Sequence, residues 1–232
     1  MPTTIITFWR GFILGVVILA VILCGCASLP NYAQPGSGRL PDDPKILADA
    51  FTYRRLTRED FRADALPPDR AAHAADINAH VCTQIRPRPD TQVVISRSRL
   101  AGTDMVIGSI PHIAFEAVMI PGCSWWNPRL DARQTAYVLQ HEQIHFAIAE
   151  QTARQLTAEA QEHLRDFIVV EYTPEAAREA IAQTIRSLIR SATQVSYKKH
   201  TAFDEETSLF HSPRRQQWWM EKMERELAQA VD

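Results

Sequence analysis

The sequence predicts an α+β fold, in which a small N-terminal β-sheet is followed by a long helix and two further helices. Three segments, 81–89, 91–98 and 112–121, are rich in β-branched or alternating apolar residues and favour strands. From residue 132 to about residue 164 there is neither Gly nor Pro, and Ala, Gln, Glu and Leu dominate. Strands first and helices afterwards are typical of the α+β class.

Capping residues mark the beginning of each predicted helix. Asp131 is a suitable N-cap for the first helix. Thr173 caps the second, with Pro174 at its first position, and this helix is expected to end near Lys198. Ser212 and a following proline begin the third.

Composition limits the function classes. The chain has 232 residues, a formal net charge of −2, 46% hydrophobic and 22% charged residues, which is the composition of a globular protein. The near-neutral charge argues against nucleic acid as a partner, because nucleic-acid-binding domains usually have a basic excess. Only four cysteines are present, too few for a disulfide scaffold.

The N-terminus has the pattern of an export signal. Arg10 is the only charged residue before Arg39, and an apolar stretch follows it over residues 11–28. This stretch is short for a membrane span and fits a signal sequence better. Both a cleaved signal and an uncleaved N-terminal anchor place the rest of the chain outside the cytoplasmic membrane.

The end of this stretch, LCGC at 23–26, resembles the bacterial lipobox. The resemblance implies that Cys26 is the lipidated new N-terminus and that residues 1–25 are a removed lipoprotein signal peptide. Ala and Ser follow the cysteine, and similarity to Gram-negative lipoproteins then implies the outer membrane, with the protein facing the periplasm. Residues 26–46 form a Pro- and Gly-containing lipid-anchored tether, and residues 47–232 form the folded domain.

The two remaining cysteines are Cys82 and Cys123. Unpaired thiols are uncommon in an oxidising compartment, so a disulfide between them is the favoured interpretation. Two buried free cysteines are the alternative. A zinc–thiolate site is disfavoured because neither cysteine belongs to a CxxC pair.

The first predicted helix contains an HExxH motif, formed by His141, Glu142 and His145. Residues i and i+4 share a helix face, with Cβ atoms about 5–6 Å apart, so both imidazoles can bind one Zn²⁺ ion. Glu142 projects about 100° away from His141 and can act as general base toward a metal-activated water. The alternative is a pair of core histidines without metal.

Three blocks of the sequence, at 53–63, 141–154 and 203–219, resemble segments of a bacterial family of predicted secreted zinc-dependent proteases. HEQIHFAIAEQTAR (141–154) is similar to the HEQxHF block of that family, and YRRLTREDFRA (53–63) and FDEETSLFHSPRRQQWW (203–219) resemble two further segments. The resemblance implies a zincin-like metallopeptidase. The chain departs from the family pattern at Leu209, which stands where the family has histidine.

A catalytic zinc site needs a third protein ligand. Asp204 and Glu206 match the family motif, and the resemblance implies that one of them completes the site, with His211 as the next candidate. His163 and Glu171 are weaker candidates. A solvated acidic turn is the alternative for the region around Asp204.

Other residues have plainer interpretations. His80 and His200 are expected to be surface or ordinary core residues, although His200 and Tyr197 could stabilise an oxyanion. By analogy with zincins, residues 112–120 are the candidate edge strand for an extended peptide.

These features together predict a lipid-anchored cell-envelope zinc metallopeptidase, with a peptide or protein substrate and a membrane as partners. Two alternatives remain open. One is a non-catalytic envelope lipoprotein, a binding or assembly module with a structural metal or none. The other is a zinc amidase acting on cell-wall amides.

Overall fold

The computed structural model describes residues 29–30, 44–208 and 211–229. In this part of the chain the fold is mixed α+β, with small sheets and long helices, as predicted. The signal peptide, Cys26 and most of the tether lie outside the described residues. The elements are α1 Pro44–Ala48, β1 Phe51–Thr52, β2 Ala79–His80, β3 Thr83–Pro87, β4 Gln92–Leu100, β5 Thr103–His112, β6 Phe115–Met119, β7 Trp125–Trp126, α2 Thr135–His163, β8 Ile168–Glu171, α3 Pro174–Thr207 and α4 Pro213–Gln229.

A three-stranded antiparallel sheet supports α2, with the strand order β1-β6-β3. β6 lies in the middle, where Val118 pairs with Thr52 on one side and with Gln84 on the other. The assignment of 112–120 as an edge strand is therefore wrong, because both edges of β6 are already hydrogen-bonded. In this sheet the edge strand beside α2 is β3.

A second antiparallel sheet has the order β4-β5-β8 and packs against α3. Its central strand β5 contains Gly108, where a Cβ atom would lie 2.7 Å from Val169 and 2.9 Å from Ile181. Any larger residue at this point would force the Val169 or Ile181 side chain to shift, so glycine allows β8 and α3 to pack closely against β5. A tight turn joins β4 to β5 through Ala101 and Gly102, both with positive φ.

The helices begin close to the predicted positions. The Asp131 side chain accepts a hydrogen bond from the Arg133 N–H and caps a short 3₁₀ turn that leads into α2. Thr173 caps α3 by accepting from the Ala176 N–H at 3.1 Å. α3 does not end near Lys198 but continues to Thr207, so the acidic segment around Asp204 is helical rather than a turn.

α2 is the central element of the core. Its 29 residues contact the β1-β6-β3 sheet on one side and both α3 and α4 on the other. A hydrophobic cluster fills the space between the three helices, formed by Ile144, Ala147, Ile148, Phe203, Trp219, Met223 and Leu227. Each large side chain buried here stabilises the fold by about 1.5–3 kcal/mol. This packing fixes the face of α2 that carries the HExxH histidines.

A disulfide joins Cys82 to Cys123, with their Cα atoms 5.7 Å apart. It connects the residue before β3 to the turn that follows β6. None of the helices among the described residues is long and apolar enough to cross a membrane.

Candidate metal centre

Three side chains from two helices converge at one point. His141 and His145 lie one turn apart on α2, with their Nε2 atoms 3.0 Å from each other. Asp204, in the last turn of α3, places Oδ1 3.0 Å from the Nε2 atom of each histidine. Two imidazole nitrogens and a carboxylate oxygen at these separations can all contact one small cation at about 2.0–2.2 Å. The three residues form a group that could hold a metal ion.

The pKa values of Asp204 and His145 are shifted in the directions that favour a negative carboxylate beside a positive charge. Burial alone would raise the pKa of Asp204, but the charge of His145 and hydrogen bonds from both histidines lower it below its ordinary value. Burial would likewise lower the pKa of His145, but the Asp204 carboxylate raises it. Asp204 is therefore ionised, and a cation at this site, whether a proton on His145 or a metal ion, is stabilised.

Gln216 on α4 determines which nitrogen of His141 faces the cluster. Its Oε1 lies 3.3 Å from His141 Nδ1, while its Nε2 donates to the Tyr137 carbonyl and to Gln140 Oε1, each at 2.9 Å. The amide is thereby oriented with its oxygen toward His141. His141 Nδ1–H donates to it, which leaves the lone pair of Nε2 for a ligand.

His200 likewise determines which nitrogen of His145 faces the cluster. The two Nδ1 atoms are 2.8 Å apart, so one ring must donate and the other accept. Burial, followed by the charge of His145, lowers the pKa of His200 to about 3, so His200 is neutral. The Asp204 carboxylate raises the pKa of His145, so His145 is the ring that keeps a proton on Nδ1, and His200 Nδ1 accepts the hydrogen bond from it. His145 then donates from Nδ1, and its Nε2 faces Asp204. Without a metal, a proton on Nε2 is donated to the carboxylate, and a metal ion that displaced this proton would meet the Nε2 lone pair.

The sequence alone does not predict this contact of His200, which is expected there to be an ordinary surface or core histidine, or a group that stabilises an oxyanion. His200 lies four residues before Asp204, and the two share one face of α3. Because the predicted helix ends near Lys198, the sequence gives no reason to expect His200 and Asp204 on the same helix face. The position follows once α3 is known to continue to Thr207.

Glu142 lies beside the cluster. Its side chain is buried, and Oε2 accepts a hydrogen bond from the Val81 N–H at 2.8 Å. No hydrogen bond from the described residues reaches Oε1. Glu142 lines the same cavity as His141, His145 and Asp204, so a molecule entering this cavity meets both the cluster and the carboxylate.

Glu206 is not part of the cluster, although the sequence made it an equal candidate for third ligand. Its Oε2 accepts from Arg215 Nε at 2.6 Å and from Trp219 Nε1 at 2.7 Å. Two residues apart on a helix, Asp204 and Glu206 point in directions about 200° apart and cannot both face α2. Glu206 instead joins α3 to α4.

The other candidates for third ligand also lie outside the cluster. His211 packs against the Tyr137 ring, with ring centroids 4.4 Å apart, and lines the cavity. His163 is exposed and contacts the Glu159 carbonyl. Glu171 lies on β8, paired with Val106.

The cavity beside the cluster has a volume of about 970 Å³. Its walls come from the segment before β2, from β3 and from the facing sides of α2 and α3. His141, His145 and Asp204 retain 14%, 14% and 12% side-chain exposure. A bound ion could therefore be reached from the cavity, as a catalytic metal must be.

No family model, no curated protein and no solved structure matches the chain.

Replacing Gln216 by Leu is expected to reduce the affinity for a divalent metal ion about 10- to 100-fold, because His141 then loses the partner that fixes its tautomer. Competition with a chromophoric chelator measures this change. Gln217→Leu on the same helix is the control, since Gln217 is exposed and its side-chain hydrogen bonds among the described residues go to Gln140 and Glu221, not to His141. Equal affinities for the two variants would contradict the role assigned to Gln216.

Proposed function

We propose that this protein is a zinc-dependent metallopeptidase of the bacterial cell envelope. The observation that carries the proposal is the convergence of His141, His145 and Asp204 beside the Glu142 carboxylate, all lining one open cavity. The spacing of the two histidines on one helix and the glutamate between them is the arrangement expected of an HExxH hydrolase.

Zinc is the proposed ion because two neutral imidazoles and one carboxylate are a common donor set for catalytic zinc. When bound, the ion would act as a Lewis acid and lower the pKa of a water molecule. The structure supports the ligand assignment through Gln216 and His200, which leave the Nε2 lone pairs of both histidines directed at the same point.

Glu142 is the proposed general base. Its carboxylate is held in place by the Val81 N–H, adjacent to the cluster but separate from the three ligand atoms. It would accept a proton from the attacking water and pass it to the leaving amine. Because it lies on α2 next to His141, the base keeps a fixed position relative to the two histidine ligands.

The fold proposal extends to a zincin-like architecture, in which an antiparallel sheet supports the HExxH helix. The family resemblance of residues 141–154 supports this assignment, together with the packing of α2 on the β1-β6-β3 sheet. The lipobox-like residues at 23–26 support an anchor at Cys26 in the outer membrane. The disulfide between Cys82 and Cys123 fits the oxidising periplasm.

Zinc content and peptide hydrolysis, measured together, test the function. The purified chain is expected to hold one equivalent of zinc and to cleave members of a degenerate peptide mixture, detected as new amino termini by mass spectrometry. A chelator should abolish cleavage, and added zinc should restore it. Bound zinc without cleavage would instead favour the non-catalytic module, or an amidase if cell-wall fragments are cleaved.

A further inference from the structure

His80 lies on the wall of the cavity beside the cluster, close to the proposed general base. It is the last residue of β2, and the residue after it, Val81, donates its N–H to Glu142 Oε2 at 2.8 Å. The His80 Cα atom therefore lies no more than about 5 Å from that carboxylate oxygen. The imidazole belongs to the immediate surroundings of Glu142, although neither the metal centre nor the base depends on it.

A hydrogen bond from Arg70 fixes the tautomer of His80. Arg70 Nη1 lies 3.2 Å from His80 Nδ1, and a guanidinium donates hydrogen bonds but cannot accept them. Nδ1 must therefore accept, which leaves the single proton of the neutral imidazole on Nε2. Burial, followed by the charge of Arg70, lowers the pKa of His80 to about 3, in agreement with a neutral ring. The cation at Nδ1 also polarises the ring and makes the Nε2–H group a stronger donor.

The Nε2–H group of His80 has no hydrogen-bond acceptor among the described residues. In this part of the chain, every side-chain nitrogen or oxygen of a residue that is not exposed has a partner if the atom itself is closed off from solvent. His80 is only partly exposed, so its Nε2 atom is reached by solvent. An oriented and neutral N–H donor is thus available to a molecule that enters the cavity.

The charges on the cavity wall favour a donor at this place. Attack of water on a peptide carbonyl turns the C=O double bond into a single bond and collects negative charge on its oxygen. Acidic groups near that oxygen make the charge unfavourable, whereas an N–H dipole stabilises it. Four carboxyl groups of the described residues line the cavity: Asp69, Asp76, Glu142 and Asp204.

Tyr197, on the part of the wall formed by α3, is the rival donor. It precedes Asp204 by seven residues, which places the two on one helix face but about 10 Å apart along the helix axis. The charges of His145 and Asp204 both act on the pKa of His80, in opposite directions. His80 is therefore within electrostatic reach of the cluster, and Arg70 holds its ring in one orientation.

We propose that His80 is a further catalytic residue, whose Nε2–H donates a hydrogen bond to the oxygen of the scissile carbonyl. This inference rests on the proposed metallopeptidase function. As the water oxygen bonds to the carbonyl carbon, Glu142 takes a proton from the water and the π electrons of the C=O bond move to the oxygen that faces His80. These electrons then form the C=O bond again, the C–N bond breaks, and Glu142 passes its proton to the amine. His80 keeps its own proton throughout.

The tautomer of His80 can be tested without metal or substrate. The histidine nitrogens of the purified chain are isotope-labelled, and long-range proton–nitrogen NMR correlations are recorded at neutral pH. The signals of His80 are assigned by their loss in His80→Gln. We expect the proton on Nε2. A proton on Nδ1 overturns the proposal, because Nε2 would then have none to donate.

Two amide substitutions separate the donor from the contact with Arg70. Asn and Gln both offer an oxygen that can accept from Arg70, but the Asn side chain is one methylene shorter and its NH₂ group cannot reach the position of Nε2. His80→Asn is expected to reduce kcat about 100- to 1,000-fold on one fluorogenic peptide selected from the degenerate mixture. KM and zinc content should stay native, and His80→Gln should recover part of the loss.

His112→Asn is the matched control. His112 lies at the end of β5 and is not among the residues that line the cavity, so this variant should cleave the peptide at the native rate. If His80→Asn does not fold, His80→Gln is compared with the native chain instead, since its donor is imperfectly placed and kcat should still fall. Native kcat in the folded His80 variant overturns the proposal.

A phosphinic analogue of the same peptide measures the contact apart from turnover. Its tetrahedral phosphorus carries two oxygens in the arrangement that the carbonyl carbon acquires during attack. The dissociation constant of the analogue is expected to rise in His80→Asn by about the factor by which kcat/KM falls. A residue with only a structural role would not produce this parallel change, so native affinity for the analogue also overturns the proposal.

Failure of this inference can be distinguished from failure of the proposed function. If the native chain cleaves the peptide and His80→Asn cleaves it equally well, the enzyme assignment holds but His80 has no catalytic role. A large loss in Tyr197→Phe beside native turnover in His80→Asn would transfer that role to α3. Zinc binding without any cleavage by the native chain contradicts the proposed function, and this inference with it.

Discussion

Replacing Glu142 by Gln is expected to reduce peptide hydrolysis by about a hundredfold to ten-thousandfold, the range typical of losing a general base. The amide has nearly the same shape, and its oxygen can still accept the Val81 N–H that now bonds to Oε2. It cannot accept a proton from water at neutral pH. Zinc content is expected to stay at the native value, since Glu142 contributes no atom to the His141, His145 and Asp204 group.

Glu159→Gln provides the control for this experiment. Glu159 lies on the same helix but is exposed and remote from the cluster, so hydrolysis and zinc content should both remain native. Turnover is measured as the initial rate on one fluorogenic peptide selected from the degenerate mixture. Native turnover by Glu142→Gln would exclude the carboxylate as the base, whatever the zinc content.

The second large effect concerns the third ligand. Asp204→Asn is expected to reduce zinc affinity by more than the roughly 10- to 100-fold loss that follows removal of a residue that only orients a ligand. The change removes the negative charge that faces both imidazoles at 3.0 Å. His145→Ala should have a similar effect, because it removes one of the three ligand atoms.

Glu206→Gln is the decisive comparison, since the sequence makes Asp204 and Glu206 equal candidates for the third metal ligand. Glu206 contacts Arg215 and Trp219 instead of the histidines. Its substitution should leave zinc affinity unchanged and cost at most about 1 kcal/mol of stability through the partly exposed ion pair. Chelator competition and urea unfolding measure these two quantities. Loss of zinc in Glu206→Gln with retention in Asp204→Asn would reverse the assignment.

The part of the site on α2 could be predicted because it is local. His141 and His145 are one helical turn apart, and the long segment without Gly or Pro that contains them predicts the helix directly. The third ligand could be narrowed to two residues but not chosen, because the choice depends on the rotation of α3. That rotation is fixed by Phe203, which is fully buried and packs against the rings of His141 and Trp219.

The end of α3 was predicted too early for a related reason. Residues 199–207 mix strong helix formers (Lys199, Ala202, Glu205 and Glu206) with His, Thr, Phe and Asp, whose helix propensity is weaker, so the local signal is indecisive. Tertiary packing decides the outcome, since Phe203, Asp204 and Thr207 are all buried against neighbouring helices. Such contacts are between residues distant in sequence, and intrinsic propensity does not contain them.

In the second sheet, too, packing between residues distant in sequence decides where a strand forms. β5 includes Gly108 and Pro111, which locally indicate a loop, and the strand was not predicted. Its alternating burial, with Val106, Gly108 and Ile110 facing inward, becomes meaningful only once α3 covers that face. The glycine that weakens the local strand signal is the residue that allows the close packing.

The separation of the ligands along the chain has a consequence for how the protein would acquire its ion. His141 and Asp204 are 63 residues apart, and Gln216 follows His141 by 75. An unfolded or partly synthesised polypeptide therefore has only a pair of unoriented imidazoles. The three ligand atoms come together only when α2 and α3 have packed, and the tightest binding is expected after α4 has docked, so metal uptake would be coupled to the late stages of folding.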